Sequence, residues 1–349
     1  MPESKISTLA ALPLCYSLIA LPYAPLPAKS DLSTPISTNA SQRTSLRNMK
    51  YQLAAMPMLQ PKGTYVGELQ ERWQFPSDHL PIGMTMDGLD IASWNVLDAD
   101  YMSWVTEKNS QGLKRSMIVD EHVYIGDSKL TVRDKHTAAL VLEMISHPTH
   151  PRSILALQEC SQPFLEELRS RLPGHFQILS LYGDSVLIDT KRLELIEAKK
   201  ISGIFADTPT SAFQDISLRR LDNGQQIRLL NVHLPGDPQK PARFEFANYL
   251  SNTFDPAATT IAMGDMNFNE IEMSDAMNRA FDSGSPFSLH SPYCTNISPY
   301  VFNSKAIDHF IVHSPERSPV VLSSPNQLMK GLDPMVSLLE GTVEETGQK

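Results

Sequence analysis

The sequence has little of what several large classes of protein depend on. Its three cysteines include no Cys-x-x-Cys pair, which excludes a disulfide framework and a cysteine-based zinc site. It has no excess of basic charge: the formal net charge at pH 7 is −9, whereas proteins that bind nucleic acid without regard to sequence are usually basic. Beyond the N-terminal region no apolar run is long enough to cross a membrane, so we predict no transmembrane segment.

The N-terminal region has a composition unlike that of the rest of the chain. Residues 1–65 are rich in Ser, Thr, Pro and Ala with weak periodicity, which predicts a flexible leader. The apolar stretch 6–24 has the length of a secretion signal, but Glu3 lies beside Lys5 and prolines interrupt it. The sequence therefore leaves both a cytoplasmic and an exported location open. We expect one domain over 66–340 and a disordered tail over 341–349.

After the leader, short apolar strands alternate with helices. Asp87-Gly88 and Asn223-Gly224 are strong hairpin signals. Helical spacing of apolar residues predicts helices over 135–145, 162–172 and 242–254. Strands are predicted over 80–86, 89–96, 153–157, 177–181, 184–188, 216–221, 227–232, 260–263, 305–312 and 320–322. This order predicts an α+β fold in which two β-sheets pack face to face and helices lie outside.

Polar side chains follow several of the apolar strands. Asn95 ends one strand, although Asn is disfavoured in strands. Glu159 follows the buried strand 154–158, where a carboxylate is costly unless it is paired or bound to a metal. Mg²⁺ takes one or two carboxylates and keeps several waters. These positions therefore favour a metal site. An Asn that merely ends its strand and a Glu exposed at a strand tip would give the same sequence pattern.

The segment Gly264-Asp265-Met266-Asn267 also follows an apolar strand. Side chains at i and i+2 share a face in extended backbone, so Asp265 and Asn267 can address one ligand. An amide can donate to a phosphate oxygen while the carboxylate binds a metal or water. An ordinary Asx turn has the same composition.

Histidines supply the acid–base chemistry. His233 ends the strand 229–232, where a histidine is often only a core residue. Its place at a strand end favours a site, because functional residues gather near loops. Asp78-His79 and Asp308-His309 are two Asp-His pairs, and a histidine oriented by a carboxylate is the usual general base.

Together these motifs resemble the endonuclease/exonuclease/phosphatase superfamily, which has the DNase I-like fold. The resemblance covers roughly residues 70–340 and is specific because the motifs occur in the family's order. The matching motifs are Trp94-Asn95, Gln158-Glu159, Asn231-Val232-His233, Gly264-Asp265-Met266-Asn267 and Ile307-Asp308-His309.

One motif departs from that order. The family's Ser-Asp-His follows Ile-Asp near the C-terminus, but here it is Ser77-Asp78-His79, before the first strand. Asp333-Pro334 looks like a remnant at the usual place and lacks the histidine. We infer a circular permutation in which the Asp87-Gly88 hairpin joins the two strands. Permutation is tolerated where the joined ends are close and exposed.

The resemblance implies hydrolysis of a phosphate ester with Mg²⁺ or Mn²⁺ as cofactor. It implies that Glu159 holds the ion with Asn95 and Asp78 close by. It also implies that His79 takes a proton from water while Asp308 orients it, and it leaves open whether His79 or Asp265 is the base. The catalytic residues that it implies are His79, Asp308, His233, Asp265 and Asn267, of which Asn267 and His233 also bind substrate.

The substrate class stays open at this stage. The motifs favour a nuclease or nucleotide phosphodiesterase, for which nucleic acid is one candidate substrate, and we expect a monomer. A phosphomonoesterase on inositol or lipid phosphates and an inactive binding protein on the same fold are the alternatives. Lys114-Arg115 and Arg133 are expected in a loop, where they could contact phosphates. Arg219-Arg220 is more typical of a solvated strand edge.

Overall fold

The computed structural model describes most of the predicted domain. It describes residues 76–102, 131–181, 183–236, 241–281, 284–293, 295–296 and 306–329. The predicted leader, the predicted tail, Lys114-Arg115 and Asp333-Pro334 lie outside these residues. In the described part, no helix has the length and apolar character needed to span a membrane.

Two six-stranded mixed sheets form the centre of the described domain. The strand order is β12-β1-β2-β3-β5-β4 in the first sheet and β10-β11-β9-β8-β7-β6 in the second. The strands are β1 Ile82–Met86, β2 Leu89–Asn95, β3 Ile154–Gln158, β4 Phe176–Leu181, β5 Asp184–Asp189, β6 Leu193–Ser202, β7 Ala212–Arg220, β8 Gln226–His233, β9 Thr259–Asp265, β10 Ser288–His290, β11 Asp308–His313 and β12 Val320–Leu322. The predicted α+β two-sheet sandwich is confirmed.

Four α-helices accompany the sheets in the described residues. They are α1 Thr131–Ile145, α2 Gln162–Arg171, α3 Ala242–Asn252 and α4 Glu270–Ala280. α1 and α2 bury Val141 and Phe164 in the larger core, which also contains Trp94 and Phe310 from the facing sheets. The apolar sides of α3 and α4 meet in a second core that covers the outer face of the second sheet. The helices thus leave the strand ends free to carry polar groups.

Strand pairing brings the predicted site motifs to common edges. β2 and β3 are parallel, with Asn95 opposite Gln158, and β8 and β9 are parallel, with His233 opposite Asp265. β1 and β2 form the predicted hairpin, and Asp87 and Gly88 both have left-handed φ angles of 50° and 74°. That pair of angles belongs to the turn type whose twist matches flanking strands.

A buried chain of neutral polar side chains joins the two sheets just below these strand ends. We call it the amide layer; it consists of Ser93, Gln158, Asn231 and Gln214. Gln158 Nε2 donates to Asn231 Oδ1 at 2.7 Å and to Ser93 Oγ at 3.0 Å. Asn231 Nδ2 donates to Gln214 Oε1 at 2.8 Å and to two backbone carbonyls of the first sheet. The layer therefore fixes the sheets relative to each other one or two residues from the site.

Among the α-helices and strands of the described residues, three were not predicted. β6 begins with an alternating pattern that shifts register at a bulge between Leu195 and Glu197, which hides its period. α4 carries a capping box in which Asn269 and Glu272 bond each other's backbone, a start signal visible in the sequence. β10 is only three residues long. These misses lie outside the strand ends that carry the motifs.

Candidate active site

His79 lies at the centre of the polar cluster and is almost fully buried. Its Nδ1 is 3.0 Å from Asp308 Oδ2, and its Nε2 is 3.5 Å from Asp265 Oδ2. Burial opposes the charged imidazolium, but the carboxylates of Asp308 and Asp265 raise the pKa of His79 well above its ordinary value. A histidine from the N-terminal side of β1 thus meets two carboxylates from β9 and β11.

Local hydrogen bonds hold the His79 segment against β2. Ser77 Oγ donates to the Asn95 carbonyl at 2.7 Å and accepts the His79 N–H at 3.1 Å. Trp94 Nε1 donates to the His79 carbonyl at 2.8 Å. The Ser-Asp-His and Trp-Asn motifs are therefore physically interlocked, which explains why serine and tryptophan occur in them.

Glu159, Asn95 and His233 form the other half of the cluster around Asp265. Asn95 Nδ2 donates to Glu159 Oε1 at 2.9 Å and to Asp265 Oδ2 at 3.1 Å. His233 Nε2 lies 3.5 Å from Glu159 Oε1 and 3.8 Å from Asp265 Oδ2. Burial opposes a charge on His233, and the carboxylates of Glu159 and Asp265 raise its pKa. The structure thus brings together residues from β2, β3, β8 and β9.

Asn95 is oriented differently from a metal ligand in this arrangement. Its Oδ1 accepts the Leu97 N–H at 3.0 Å, so its amide nitrogen, and not its oxygen, faces the carboxylates. An amide group that donates to both Glu159 and Asp265 holds the two carboxylates close together. Direct ligation through the amide oxygen would require the amide to turn over, so the predicted ligand role of Asn95 stays a prediction.

Unusual backbone conformations aim several of these side chains. Glu159 and Asn267 have left-handed φ angles of 55° and 54°, uncommon for residues other than glycine. Gly264, at φ 136°, lies so close to β8 that an added Cβ would be 2.0 Å from the Val232 carbonyl oxygen. Side chains other than hydrogen are therefore excluded there, which lets Asp265 approach His233. Such strain concentrates at functional sites.

The Asp265–Asn267 segment forms the Asx turn that its composition allowed, and its role in binding a ligand stays a prediction. Asp265 Oδ1 accepts the Asn267 N–H at 2.8 Å, as in an Asx turn, while its Oδ2 faces the two histidines. Asn267 Nδ2 donates to the Leu234 carbonyl at 2.8 Å. One amide hydrogen of Asn267 is therefore engaged, and the second is available for a ligand.

The site concentrates negative charge away from water. We call its carboxylates the acid layer; they are Asp78, Glu159, Asp184, Asp265 and Asp308. Burial is the main cause that raises the pKa of Asp78 to about 6 and of Asp184 to about 7, and it also raises the pKa of Asp265. Glu159 and Asp265 add repulsion to both Asp78 and Asp184.

The donor set fits a divalent cation. Oxygen and nitrogen ligand atoms lie within 4.8 Å of one another in two groups, Glu159–His233–Asp265 and His79–Asp265–Asp308. Asp308 Oδ1 is buried without a hydrogen-bond partner. A buried oxygen of this kind calls for an ion, water or ligand. Carboxylate oxygens are the ligands that Mg²⁺ prefers, and a cation would offset the repulsion within the acid layer. Asp78 belongs to neither group and contributes charge nearby.

Asp184 was not predicted from the sequence. It begins β5, whereas most of the predicted site residues lie at or just after the ends of strands. Because β5 runs antiparallel to β3, its first residues lie beside the end of β3, where Cys160 N–H donates to the Gly183 carbonyl at 2.5 Å. The strand direction, which the sequence did not specify, would have revealed it.

Two other residues have structural roles. Arg133 was expected to contact phosphates from a loop, and this was wrong: it is buried in α1 and donates to the carbonyls of Pro76, Val96 and Leu97. His309, at the position of the family's tyrosine, is fully buried and pairs with Ser291 Oγ and the Phe268 carbonyl.

Comparison with known proteins gives structural similarities at low sequence identity. No family model and no curated protein matches the chain. A humanized D. rerio TDP2 is 16% identical over 70% of this chain and 86% of its own, with TM-score 0.45. An endonuclease/exonuclease/phosphatase family protein from Bacteroides thetaiotaomicron is 16% identical over 66% and 83%, with TM-score 0.43. The mannosyl-6-phosphatase Bt3783 from the same organism is 15% identical over 64% and 85%, with TM-score 0.42. One of these three carries the name of the family that the sequence motifs resemble.

Proposed function

We propose that this protein is a metal-dependent phosphoesterase of the endonuclease/exonuclease/phosphatase superfamily that cleaves a phosphodiester by in-line attack of water. Its substrate is a nucleic acid or a nucleotide. The observation that carries the proposal is the position of His79, whose two ring nitrogens face Asp308 at 3.0 Å and Asp265 at 3.5 Å. Six motifs that are scattered along the sequence meet around this histidine.

The residues divide into two working groups. Asp308 Oδ2 lies 3.0 Å from Nδ1 of His79 and orients the ring, while Nε2 is 3.0 Å from Asn296 Nδ2 and 3.5 Å from Asp265 Oδ2. Asp265, or His79 once it has lost the proton that the neighbouring carboxylates favour, can accept the proton of an attacking water, the role of a general base. His233 stands on the other side of Asp265, where it can donate to a phosphate oxygen and protonate the leaving oxygen. Asn267 offers its second amide hydrogen to another phosphate oxygen.

Glu159 is the residue we assign to the metal, with Asp78 adding charge nearby. Mg²⁺ or Mn²⁺, when bound, would supply Lewis-acid polarisation of the phosphate and a template for displacement. The chain's own contribution is the arrangement of oxygens: Asn95 holds Glu159 and Asp265 together through one amide nitrogen. Asp98 N–H donates to Glu159 Oε2 at 3.2 Å and fixes the other oxygen.

The proposal includes the circular permutation inferred from the sequence. Its support is that His79, which precedes β1, bonds Asp308, which begins β11. The Asp87-Gly88 hairpin then joins the His79 strand directly to the strand of Asn95. The site is complete although its motifs occur in a different order.

The test is hydrolysis by purified protein with Mg²⁺, with Mn²⁺ and with EDTA. The substrates are single-stranded RNA and DNA, bis-p-nitrophenyl phosphate, inositol phosphates and mannose 6-phosphate. Glu159→Gln is compared with Glu166→Gln, an exposed glutamate on α2. We expect metal-dependent cleavage of the diesters that only Glu159→Gln abolishes.

The other outcomes separate the alternatives. Preferential cleavage of the monoesters would replace the diesterase by a phosphomonoesterase. If the folded protein cleaves nothing, thermal unfolding with and without Mg²⁺ decides between the remaining possibilities. A Mg²⁺-dependent rise in Tm that is absent in Glu159→Gln would keep the metal site in a binding protein, and no rise in either protein would contradict the metal site itself.

A further inference from the structure

Arg243, on the first turn of α3, is held by aromatic rings and not by acidic partners. Its Cζ lies 4.7 Å from the centre of the Phe244 ring and 5.0 Å from that of the Phe268 ring. Cation–π contacts of this kind favour a guanidinium over an ammonium group, because its flat face can stack. The two rings therefore fix the position of the cation without using its N–H groups.

The guanidinium is underused as a hydrogen-bond donor. Within the part of the chain that the structure describes, its Nε and Nη1 are buried without a hydrogen-bond partner. Arg228, in contrast, donates to Asp215 at 2.7 Å. A partly buried charge without acceptors is costly, and such an exception in a native structure calls for a ligand or a function.

The position of Arg243 relates it to the site. Phe268, against which it stacks, directly follows Asn267. Asn267 bonds the Leu234 carbonyl, and a Cβ on Gly236 would lie 3.3 Å from Asn267 Oδ1, so the chain leaving β8 runs along the Asn267 turn. Arg243 thus stacks on the residue that directly follows Asn267, the group that we assign to the reacting phosphate.

We propose that Arg243 forms an anion subsite beside the reaction centre that takes a second, non-reacting phosphate of the substrate. This rests on the proposed function and narrows it to substrates with at least two phosphates. A stacked guanidinium suits a phosphate, because its position is fixed by the rings and its charge is not offset by a carboxylate in the described residues. The second phosphate can come from a nucleic-acid backbone or from an inositol polyphosphate.

The test compares Arg243→Gln with Arg279→Gln. Arg279 stacks on the same Phe244 ring at 5.2 Å, but it is exposed and already paired with Asp275 at 3.0 Å. Each variant is assayed on a single-stranded oligonucleotide, on inositol 1,4,5-trisphosphate and on bis-p-nitrophenyl phosphate, which has one phosphate. We expect Arg243→Gln to lower kcat/KM about 10- to 100-fold on one of the first two, mainly through KM, and much less on the third.

The larger loss identifies the source of the second phosphate. Equal losses on all three substrates would place Arg243 at the reacting phosphate and overturn the proposal, as would a loss no greater than that of Arg279→Gln. Arg243→Lys keeps the stem and the charge, and it should recover part of the affinity if Arg243→Gln folds poorly.

A binding measurement separates this proposal from the proposed function. Fluorescence anisotropy of a labelled oligonucleotide, and calorimetry with the inositol trisphosphate, need no turnover. If the wild-type protein hydrolyses nothing but binds either probe, and Arg243→Gln weakens that binding about 10-fold or more, the subsite stands while the hydrolase fails. Unchanged binding of both probes in Arg243→Gln would reject the subsite whatever the enzyme does.

Discussion

The amide layer and the acid layer adjoin each other at the end of β3, yet they treat buried polarity in opposite ways. Gln158 of the amide layer is followed directly by Glu159 of the acid layer. In the amide layer Asn231 uses its oxygen and both amide hydrogens, and no formal charge is present. In the acid layer the side chains can carry formal charge, and burial together with mutual repulsion raises the pKa of three carboxyl groups.

This difference separates polar groups that fix the fold from polar groups that do chemistry. Paired neutral amides rigidify a core at little cost, whereas half-compensated charges cost stability until something binds. The two layers should therefore respond in opposite directions when a member is replaced. The predictions below test that contrast, beginning with the largest effect.

Removal of the central histidine should abolish most of the activity. His79→Ala deletes the partner of both Asp308 and Asp265, and a group acting in proton transfer contributes about 10²–10⁴-fold to the rate. We expect kcat on the best diester substrate to fall by that factor, measured by initial rates. His175→Ala, a histidine away from the site, is the control. Near wild-type activity of His79→Ala would remove the basis of the proposed site.

Replacement in the amide layer should destabilise the fold. Asn231→Leu removes one of the two acceptors of Gln158 Nε2, the donor to Gln214 Oε1 and a donor to two backbone carbonyls, and each buried group left unpaired costs about 1–3 kcal/mol. We expect the free energy of unfolding to fall by about 3 kcal/mol in urea titration. Asn252→Ala, exposed at the end of α3, should change it by less than about 0.5 kcal/mol. A neutral Asn231→Leu would show that the layer is dispensable.

Replacement in the acid layer should do the reverse. Asp78 is buried, and burial together with Glu159 and Asp265 raises its pKa to about 6. Asp78→Asn removes that charge, so in EDTA at pH 8 we expect a gain of about 2 kcal/mol in unfolding free energy, with a loss of activity. Asp207→Asn, an exposed aspartate, is the control. Destabilisation by Asp78→Asn would mean that the acid layer supports the fold as the amide layer does.

His136, which belongs to neither layer, should have a smaller effect on how the free energy of unfolding depends on pH. Burial lowers the pKa of His136, in α1, to about 4 from 6.5. Since the unfolded chain binds this proton first, the stability is fully present above pH 6.5 and is lost as pH falls towards 4. His136→Gln should flatten this acid limb by about 1–2 kcal/mol, followed by urea titration between pH 4 and 7. An unchanged limb would show that the burial of His136 does not cause it.

Much of the fold could be predicted because the strands that carry it are strongly apolar. β2, β3, β8 and β9 are short apolar runs followed by polar residues, and parallel pairing then places those residues at common edges. β6 was missed because its bulge breaks the alternation, and α4 was missed although Asn269 and Glu272 form a capping box. Local signals suffice only where nothing interrupts their period.

The site could be predicted in composition but not in detail. Sequence identified the residues that meet around His79, but not the orientation of Asn95, which depends on the Leu97 N–H. Asp184 was missed because it reaches the site only through the antiparallel pairing of β5 with β3. Arg243 was missed because it is related to the site only through its stacking on Phe268, which lies outside α3. Arg133 was misplaced because a charged residue gives no sign that carbonyls will surround it.

The hydrogen bond between His79 and Asp308 joins residues that are 229 positions apart. At about 5–20 residues per second of synthesis, a ribosome needs roughly 10–45 s to extend the chain from one to the other. During that time the His79–Asn95 hairpin can fold, since hairpins form in microseconds, but its histidine has no carboxylate to orient it. A nascent or prematurely released chain would therefore be catalytically silent, and activity in the cell would report on completed synthesis.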